Sequence, residues 1–356
     1  MKKISIKGYK SFRDMTLDLR QINVLIGSNG SGKSNFLSFF EFLNRAYEQK
    51  LTEHVALNGG VDKFFYNGTK ETETIQGEVF WENNRYQLQL KEGDGRLVVT
   101  GEKLGYETKN HFVSYNDIAK FTNEASIKHY TGLRRGDYIN HYLSEIKKYH
   151  FHDTGKTSPF TKESSVLNDR FFLYEKGENL ATFLYAIQEE NPIIYHRIIK
   201  VVQTIAPYFS DFYFRISEAG TLRLLWKDKY SSMIYGPNDL SDGTIRFIAL
   251  TTLFLQPIPP KVIIIDEPEL GLHPVAIQKL AGMMRSVAAK GTQIIVATQS
   301  TDLLSHFRPE DVVTVNQIDG ATQMQRLCKE ELERWLDDYT LGDLWRQNIM
   351  KGGQPQ

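Results

Sequence analysis

Residues 21–43 read "QINVLIGSNGSGKSNFLSFFEFL", and their three parts decide the fold. "INVLI" is a mostly apolar run that stops at a glycine, as a buried strand does. From Lys33 the spacing changes: Phe36, Leu37, Phe39, Phe40 and Leu43 fall on one helical face. Between the two, Gly27 to Ser34 ("GSNGSGKS") matches G-x-x-x-x-G-K-[ST] in full. Gly27, Ser28, Asn29, Gly30, Ser31 and Gly32 give a backbone that can curl until successive N–H groups converge on phosphate oxygens. The helix that follows, with Asn35 in its first turn, turns its positive end to the same point. Lys33 is expected to reach the β- and γ-phosphates of ATP, and Ser34 to bring its hydroxyl to Mg²⁺. The competing reading is a Gly/Ser-rich turn that matches by accident; the strand before it and the helix after it argue against that. Strand, glycine loop and helix open an α/β nucleotide-binding unit.

The chain has 356 residues, room for two or three packing units. A hydrophobic share of 41% against 24% charged residues suits a globular protein with a real core. Lys and Arg balance Asp and Glu at 43 each, which excludes a basic coat for nucleic acid but leaves room for a local groove. One cysteine, Cys328, rules out an intramolecular disulfide and fits a reducing compartment. No run approaches the ~18 apolar residues of a membrane span, and "MKKISIKGYKSF" has no leader-like apolar core. The expectation is a cytoplasmic chain without membrane contact.

Strands are expected at "KKISIKGY" and "MTLDL", then antiparallel ones at "TIQGEVFW", "RYQLQL" and "RLVV". Helix is expected over Tyr138–Lys148 and over Asn179–Ala206 with a break at Asn191-Pro192, followed by a hairpin of "DFYFRIS" and "TLRLLW". The last third returns to α/β rhythm: "KVIIIDEP" as a buried parallel strand, a helix over Pro274–Ala289, then "TQIIVATQS" and "DVVTVN" as strands. No heptad seam is sustained, so no long coiled-coil arm is expected, and the tail "GGQPQ" is expected to fray. The nucleotide-binding domain is therefore split: an N-terminal lobe over 1–100, an inserted, mainly helical unit over 101–210, and a C-terminal lobe over 211–356.

Hydrolysis requires a second metal anchor and a group that directs water. "VIIIDEPE" offers Asp266 for the Mg²⁺ shell and Glu267 to polarise the attacking water. The plain alternative is two surface acids after a buried strand. "NDLSDGTIRF", 238–247, places Ser241, Asp242 and Gly243 where a second apolar-periodic segment begins. Ser241 can cap that helix and leave its N–H groups facing an anion, although taken alone the stretch reads more simply as a capped core helix.

The order P-loop, insertion, L-S-x-G-x-x-R, D-E-P resembles the ABC ATPase heads of the SMC and RecF type. Leu240, Ser241, Gly243 and Arg246 fall where that family carries its signature, with Asp242 at the first of its two glycines and Thr244 at its glutamine. In that family the signature touches the γ-phosphate bound by the other subunit. The resemblance thus implies a homodimer, or a higher oligomer built from it, closed around two ATP molecules. "IKGYKSFRD" looks like the K-S-F turn of SMC-type heads, which would set Lys10, Ser11, Phe12 and Arg13 near the nucleotide. "ELGLHP" stands at the D-loop, where subunits meet, with Leu270, Gly271, Leu272 and His273. The match extends to compact bacterial ATPases through "DEPELGLHP", "ATQS", "HFHDT" and "WLDDYTLGDLW". One departure stands out. Gln299 occupies the place of the family's switch histidine; its amide can donate to a γ-phosphate oxygen but holds no charge, which implies slow turnover. Gln76 is a weak candidate for the family's Q-loop.

"YHFHDTG" brings His150, His152 and Asp153 together, and on a strand the two histidines would share a face as a metal pair. That points to an ATP-licensed nuclease. With no downstream cluster to complete a shell, polar residues at a lid or domain interface are the other reading. "IKKYHFHDTGKTSPFTK", with Arg134-Arg135 upstream, could hold phosphates and stack bases, or be a solvated face. SMC and RecF heads bind duplex DNA, and the compact ATPases are often encoded beside a predicted nuclease in defence loci. The reading is an ATP-dependent switch on DNA or a co-encoded effector, in DNA repair or anti-phage defence; the alternatives are the nuclease and an ATP-gated scaffold without DNA.

Overall fold

The computed structural model describes residues 1–108, 110, 113–132 and 134–350. Strands β1 (Lys3–Tyr9) and β2 (Phe12–Asp18) form a hairpin, and β3 (Ile22–Ile26) leads through the glycine loop into α1 (Lys33–Tyr47) and α2 (Leu51–Leu57). β4 (Ile75–Trp81), β5 (Asn84–Gly93), β6 (Arg96–Glu107) and β7 (Val113–Ala119) join the hairpin in an antiparallel sheet of order β2-β1-β4-β5-β6-β7. β4 shows the alternation that one-sided burial demands: Ile75, Gly77, Val79 and Trp81 are buried, and the residues between them are not. Gly77 leaves space for α1, because a Cβ there would lie 2.5 Å from the Phe39 ring.

The chain continues through α3 (Arg134–Ser144), β8 (Ile146–Tyr149), β9 (Ser164–Ser165), α4 (Leu180–Glu190), α5 (Pro192–Gln203), β10 (Phe209–Phe212), β11 (Thr221–Leu222), β12 (Trp226–Asp228) and β13 (Ile234–Tyr235). Then follow α6 (Asp242–Leu255), β14 (Val262–Asp266), α7 (Pro274–Ala289), β15 (Gln293–Ala297), α8 (Thr301–Leu304), β16 (Val312–Ile318), β17 (Ala321–Arg326), α9 (Lys329–Leu336) and α10 (Leu341–Arg346). A second six-stranded sheet has the order β17-β16-β3-β15-β14-β8 and is parallel except for β17. Its central strands bury both faces. Val24, Ile26, Ile263, Ile265, Ile294 and Val296 face a core shared with α4–α7, and Leu25, Ile264, Ile295 and Ala297 face α1 and the antiparallel sheet. α1 is therefore sandwiched between two sheets, which explains why "FLSFFEF" is apolar around most of its circumference.

Asn23 is the polar exception inside β3, fully buried and fully used. Its Nδ2 donates to the carbonyls of Arg20 (2.7 Å) and Ile294 (3.2 Å), and its Oδ1 accepts from the Arg20 N–H (2.9 Å) and from Arg326 Nη2 (2.6 Å).

Three expectations change. The predicted helix over Tyr138–Lys148 stops at Ser144, because Ile146 and Tyr149 bury themselves by pairing with the free edge of β14; tertiary pairing overrides local spacing. The predicted boundary at residue 100 falls inside β6, which is hydrogen-bonded to β5 and β7, so the 101–210 segment opens with strand. The predicted hairpin is not one continuous ladder: β10 pairs with β12 at its base, the Tyr213 N–H donates to the Leu225 carbonyl and the Ser217 N–H to the Thr221 carbonyl further out, and β11 pairs with β9. No described helix is long and apolar enough to cross a membrane. The fraying expected of "GGQPQ" lies outside the described residues.

Asn23→Ala should lower unfolding free energy by about 1–3 kcal/mol, since it removes buried hydrogen bonds to the Ile294 carbonyl and from Arg326 Nη2; urea denaturation measures this.

Candidate nucleotide site

The glycine loop sits at the carboxyl ends of the parallel strands, where open α/β sheets bind ligands. β16 and β17 back it closely. A Cβ on Gly27 would lie 2.2 Å from the Val315 carbonyl oxygen, and Gly32 has φ 109° with a Cβ position 2.1 Å from Thr322 Oγ1. Ser31 is buried, and Ser28, Asn29 and Gly30 form a more open lip. Lys33 Nζ donates to the carbonyls of Gly27 (2.7 Å) and Ser28 (2.9 Å). Burial lowers the pKa of its ammonium, against the opposing charges of Asp266 and Glu267. Ser34 Oγ donates to Asp266 Oδ2 at 3.1 Å across 232 positions of sequence. Hydroxyl and carboxylate are hard oxygen donors of the kind Mg²⁺ takes, so the donor set fits that ion.

The K-S-F turn lies beside the loop, with its residues divided. Ser11 Oγ accepts from Asn35 Nδ2 (2.9 Å) and lies 2.8 Å from Thr322 Oγ1, tying the turn to the start of α1 and to β17. Lys10 reaches one turn along α1 to Ser38 Oγ at 3.0 Å and lies over the Tyr9 and Phe64 rings. Arg13 is exposed. Phe12 is corrected: it is wholly buried edge-on to Phe36, a core residue of β2 and not a nucleotide neighbour. Gln76 is corrected as well, since it stands in the ladder of β4 opposite Lys7 and Gln89 and not in a loop. Thr322 was missed by sequence reasoning. Nothing in "GATQMQR" marks it, because its role comes from contact with the far end of the chain.

β14 ends at Asp266, and Glu267 then turns with φ 42°, a left-handed conformation costly for a residue with a Cβ. Its N–H is held by the Ala297 carbonyl at 2.8 Å. That turn brings Glu267 Oε1 to Gln299 Nε2, which donates to it at 2.6 Å. The next acid, Glu269, is 9% exposed; its Oε1 accepts from the Thr298 hydroxyl at 2.5 Å. Burial raises its pKa, the Thr298 hydrogen bond opposing. Behind this turn, α8 is braced by "WLDDYTLGDLW": Gly342 lies so near that a Cβ would sit 2.1 Å from the Thr301 carbonyl oxygen, and Arg346 donates to Thr301 Oγ1 at 3.2 Å.

The second glycine-bearing loop caps α6 as its sequence predicts, with Ser241 Oγ accepting from the Thr244 N–H at 3.2 Å. Leu240 and Thr244 are buried, while Ser241 and Asp242 are exposed. Gly243 presses against the D-loop of the same chain: a Cβ there would lie 2.4 Å from the Gly271 carbonyl oxygen. One turn on, Arg246 is 6% exposed and donates to the carbonyls of Phe151 (3.1 Å), His152 (3.2 Å) and Leu270. Its guanidinium joins α6, the "HFHDT" stretch and the D-loop. Leu270, Gly271 and His273 are exposed, Leu272 packs on the core, and His273 Nδ1 caps α7 at Val275.

His150 and His152 do share a face, with ring centroids 4.5 Å apart, and burial lowers the His150 pKa. The expected metal trio is corrected. Asp153 turns outward and accepts from the Gly155 N–H at 3.3 Å, and among the described residues no group of three or more His, Cys, Asp or Glu side chains is placed to hold a metal. His152 Nε2 instead lies 2.8 Å from the Asp266 carbonyl oxygen, bonding the stretch to the end of β14.

The family described as "AAA domain, putative AbiEii toxin, Type IV TA system" matches residues 22–97 and 88–305. The chain belongs to that family. Its fold is that of a P-loop ATPase head of the SMC type. It is similar to the Old nuclease of Escherichia phage P2, 22% identical over 373 residues that cover 93% of this chain; the chain spans 61% of that relative's length. The energy-coupling factor transporter ATP-binding protein EcfA of Methanocaldococcus jannaschii is 34% identical over 68 residues, 19% of this chain and 24% of that one. Two solved structures share the fold at 15% identity. An Smc head bound to the C-winged helix domain of ScpA has a TM-score of 0.59, covering 94% of this chain and 99% of that one. A Pyrococcus furiosus Smc head with an extended coiled coil, bound to the C-terminal domain of ScpA, has a TM-score of 0.56, covering 95% and 98%.

Arg246→Met should cost this family member about 1–3 kcal/mol in chemical denaturation, because it leaves buried carbonyls unpaired.

Proposed function

We propose that the chain is an ATP-driven dimerising switch that acts on DNA or on an effector protein. The observation that carries the catalytic half is the convergence of two pairs at one end of the parallel sheet, Ser34 with Asp266 and Glu267 with Gln299. The glycine loop and Lys33 hold the phosphates, and Ser34 and Asp266 hold Mg²⁺. Mg²⁺ held there would neutralise negative charge on the phosphates. Glu267 takes a proton from the water that attacks the γ-phosphorus as the bond to the ADP oxygen breaks, and Gln299 orients that carboxylate. Because Gln299 contributes no positive charge, turnover is slow.

Dimerisation is supported by what α6 and the D-loop present together. Exposed Ser241 and Asp242 stand at a helix N-terminus, seamed through Gly243 to a D-loop whose Leu270 and His273 are also exposed. In the dimer, Ser241 and Gly243 meet the γ-phosphate held by the other copy. The likeness to SMC heads supports this arrangement, and the likeness to Old nuclease supports a nuclease-type effector as partner. A nucleic-acid role is supported by a groove of about 550 Å³ whose lining includes Arg45, Lys50, Lys147 and Lys176 against Glu175 and Glu178, with Phe172 at its side. Arg45 there is paired with Glu175 at 3.1 Å, and Phe172 is 57% exposed, its ring 5.3 Å from that of Tyr174. Two other basic residues singled out in the sequence are otherwise engaged: Lys148 pairs with Glu41 at 2.8 Å, and Arg135 lies over the Tyr106 ring.

Glu267→Gln should lose hydrolysis by about a hundredfold or more and, with ATP, elute as a dimer in size-exclusion chromatography; a monomer with and without ATP would overturn the switch. Lys147→Glu should weaken duplex DNA binding and flatten its salt dependence, and an unchanged titration would remove the groove from the account.

A further inference from the structure

Glu269 has no part in the roles assigned above, yet it is a buried acid two residues from the general base. Its carboxyl is spent on the turn that carries Gln299. Thr298 is fully buried; its N–H donates to the Leu25 carbonyl at 3.0 Å, and its hydroxyl donates to Glu269 Oε1 at 2.5 Å. With its proton committed in that direction, the Thr298 oxygen accepts the Ser300 N–H at 2.9 Å. Ser300 in turn caps α8 through the Leu303 N–H at 3.1 Å. The residues on either side of Gln299 are thus pinned, and the pin ends on Glu269. The main-chain N–H groups of Glu269 and Gln299 also favour the charged form of this carboxyl.

The other face of the same residue belongs to the D-loop. The Glu269 carbonyl accepts the Leu272 N–H at 2.9 Å, closing the turn that sets Leu270 and Gly271 against Arg246 and Gly243. One residue therefore spans the surface offered to a second copy and the turn that holds Gln299.

We propose that Glu269 is a positioning residue for hydrolysis: through the Thr298 hydroxyl it fixes the turn bearing Gln299, and thereby sets the Gln299 amide against the Glu267 carboxylate. The proposal rests on the reading of Glu267 as general base. A static seat for Gln299 is worth most in the transition state, where a small misplacement of a catalytic group is costly. Loosening it should therefore reduce kcat and leave ATP affinity intact.

The test uses Thr298→Val, which keeps the shape and removes the hydroxyl, with Thr298→Ser and Glu269→Gln as conservative partners and Gln299→Ala as background. Thr298→Val should reduce kcat about tenfold, with KM for ATP within about twofold. Thr298→Ser should restore kcat, and Glu269→Gln, which keeps an oxygen acceptor, should retain most of it. On the Gln299→Ala background, Thr298→Val should bring no further loss. Wild-type kcat in Thr298→Val, or the same tenfold loss with and without Gln299, would overturn the proposal. The two ideas fail separately. If Glu267→Gln is inactive while Thr298→Val is normal, only the positioning role falls; if Glu267→Gln hydrolyses ATP normally, the general-base reading falls and takes this one with it.

Discussion

Asn23 fixes the register on which the site depends. A polar side chain in the middle of a fully buried strand is tolerable only when every donor and acceptor is satisfied, and its partners lie on Arg20, Ile294 and Arg326. Two of those belong to the far end of the sequence; the Ile294 carbonyl is 271 positions away. A slip of one residue would turn Leu25 and Ile26 to the wrong faces and withdraw Gly27 from beneath Val315. The phosphate loop is thus held in place by strands that are made last.

Two glycine-bearing helix starts lie on this frame with different surroundings. At the first, buried Lys33 is turned onto carbonyls of its own loop and Ser34 meets Asp266. At the second, the helix end is open to solvent and its inner side is welded to the D-loop by Gly243 and Arg246. The first is built to enclose a charged group. The second is built to be presented, on a support that cannot shift without moving the D-loop and "HFHDT" as well.

Much of this was legible because it is local. The strand, glycine loop and helix announce themselves within 21–43, and α7 has the predicted bounds because Pro274 opens it and the apolar spacing carries it to Ala289. What the sequence hid is what distant segments supply. Ile146 to Lys148 looks helical until the free edge of β14 is available. Phe12 looks like part of a nucleotide turn until Phe36 covers it. Thr322 and Glu269 have no motif of their own, and their meaning lies in Ser11, Ser31 and Thr298. The histidines of "HFHDT" invited a metal because two imidazoles on one face carry that signal; the structure gives one of them to a backbone carbonyl.

The Arg246 junction has an evolutionary corollary. Its guanidinium is received by main-chain oxygens at Phe151, His152 and Leu270, and a main-chain oxygen is present whatever the side chain. The donor can be replaced by nothing of the same reach and fork, whereas the acceptors impose no identity on positions 151 and 270. Drift at those two sites would therefore be silent for the junction while position 246 stays frozen, so covariation between them would carry no trace of a contact that holds three segments together.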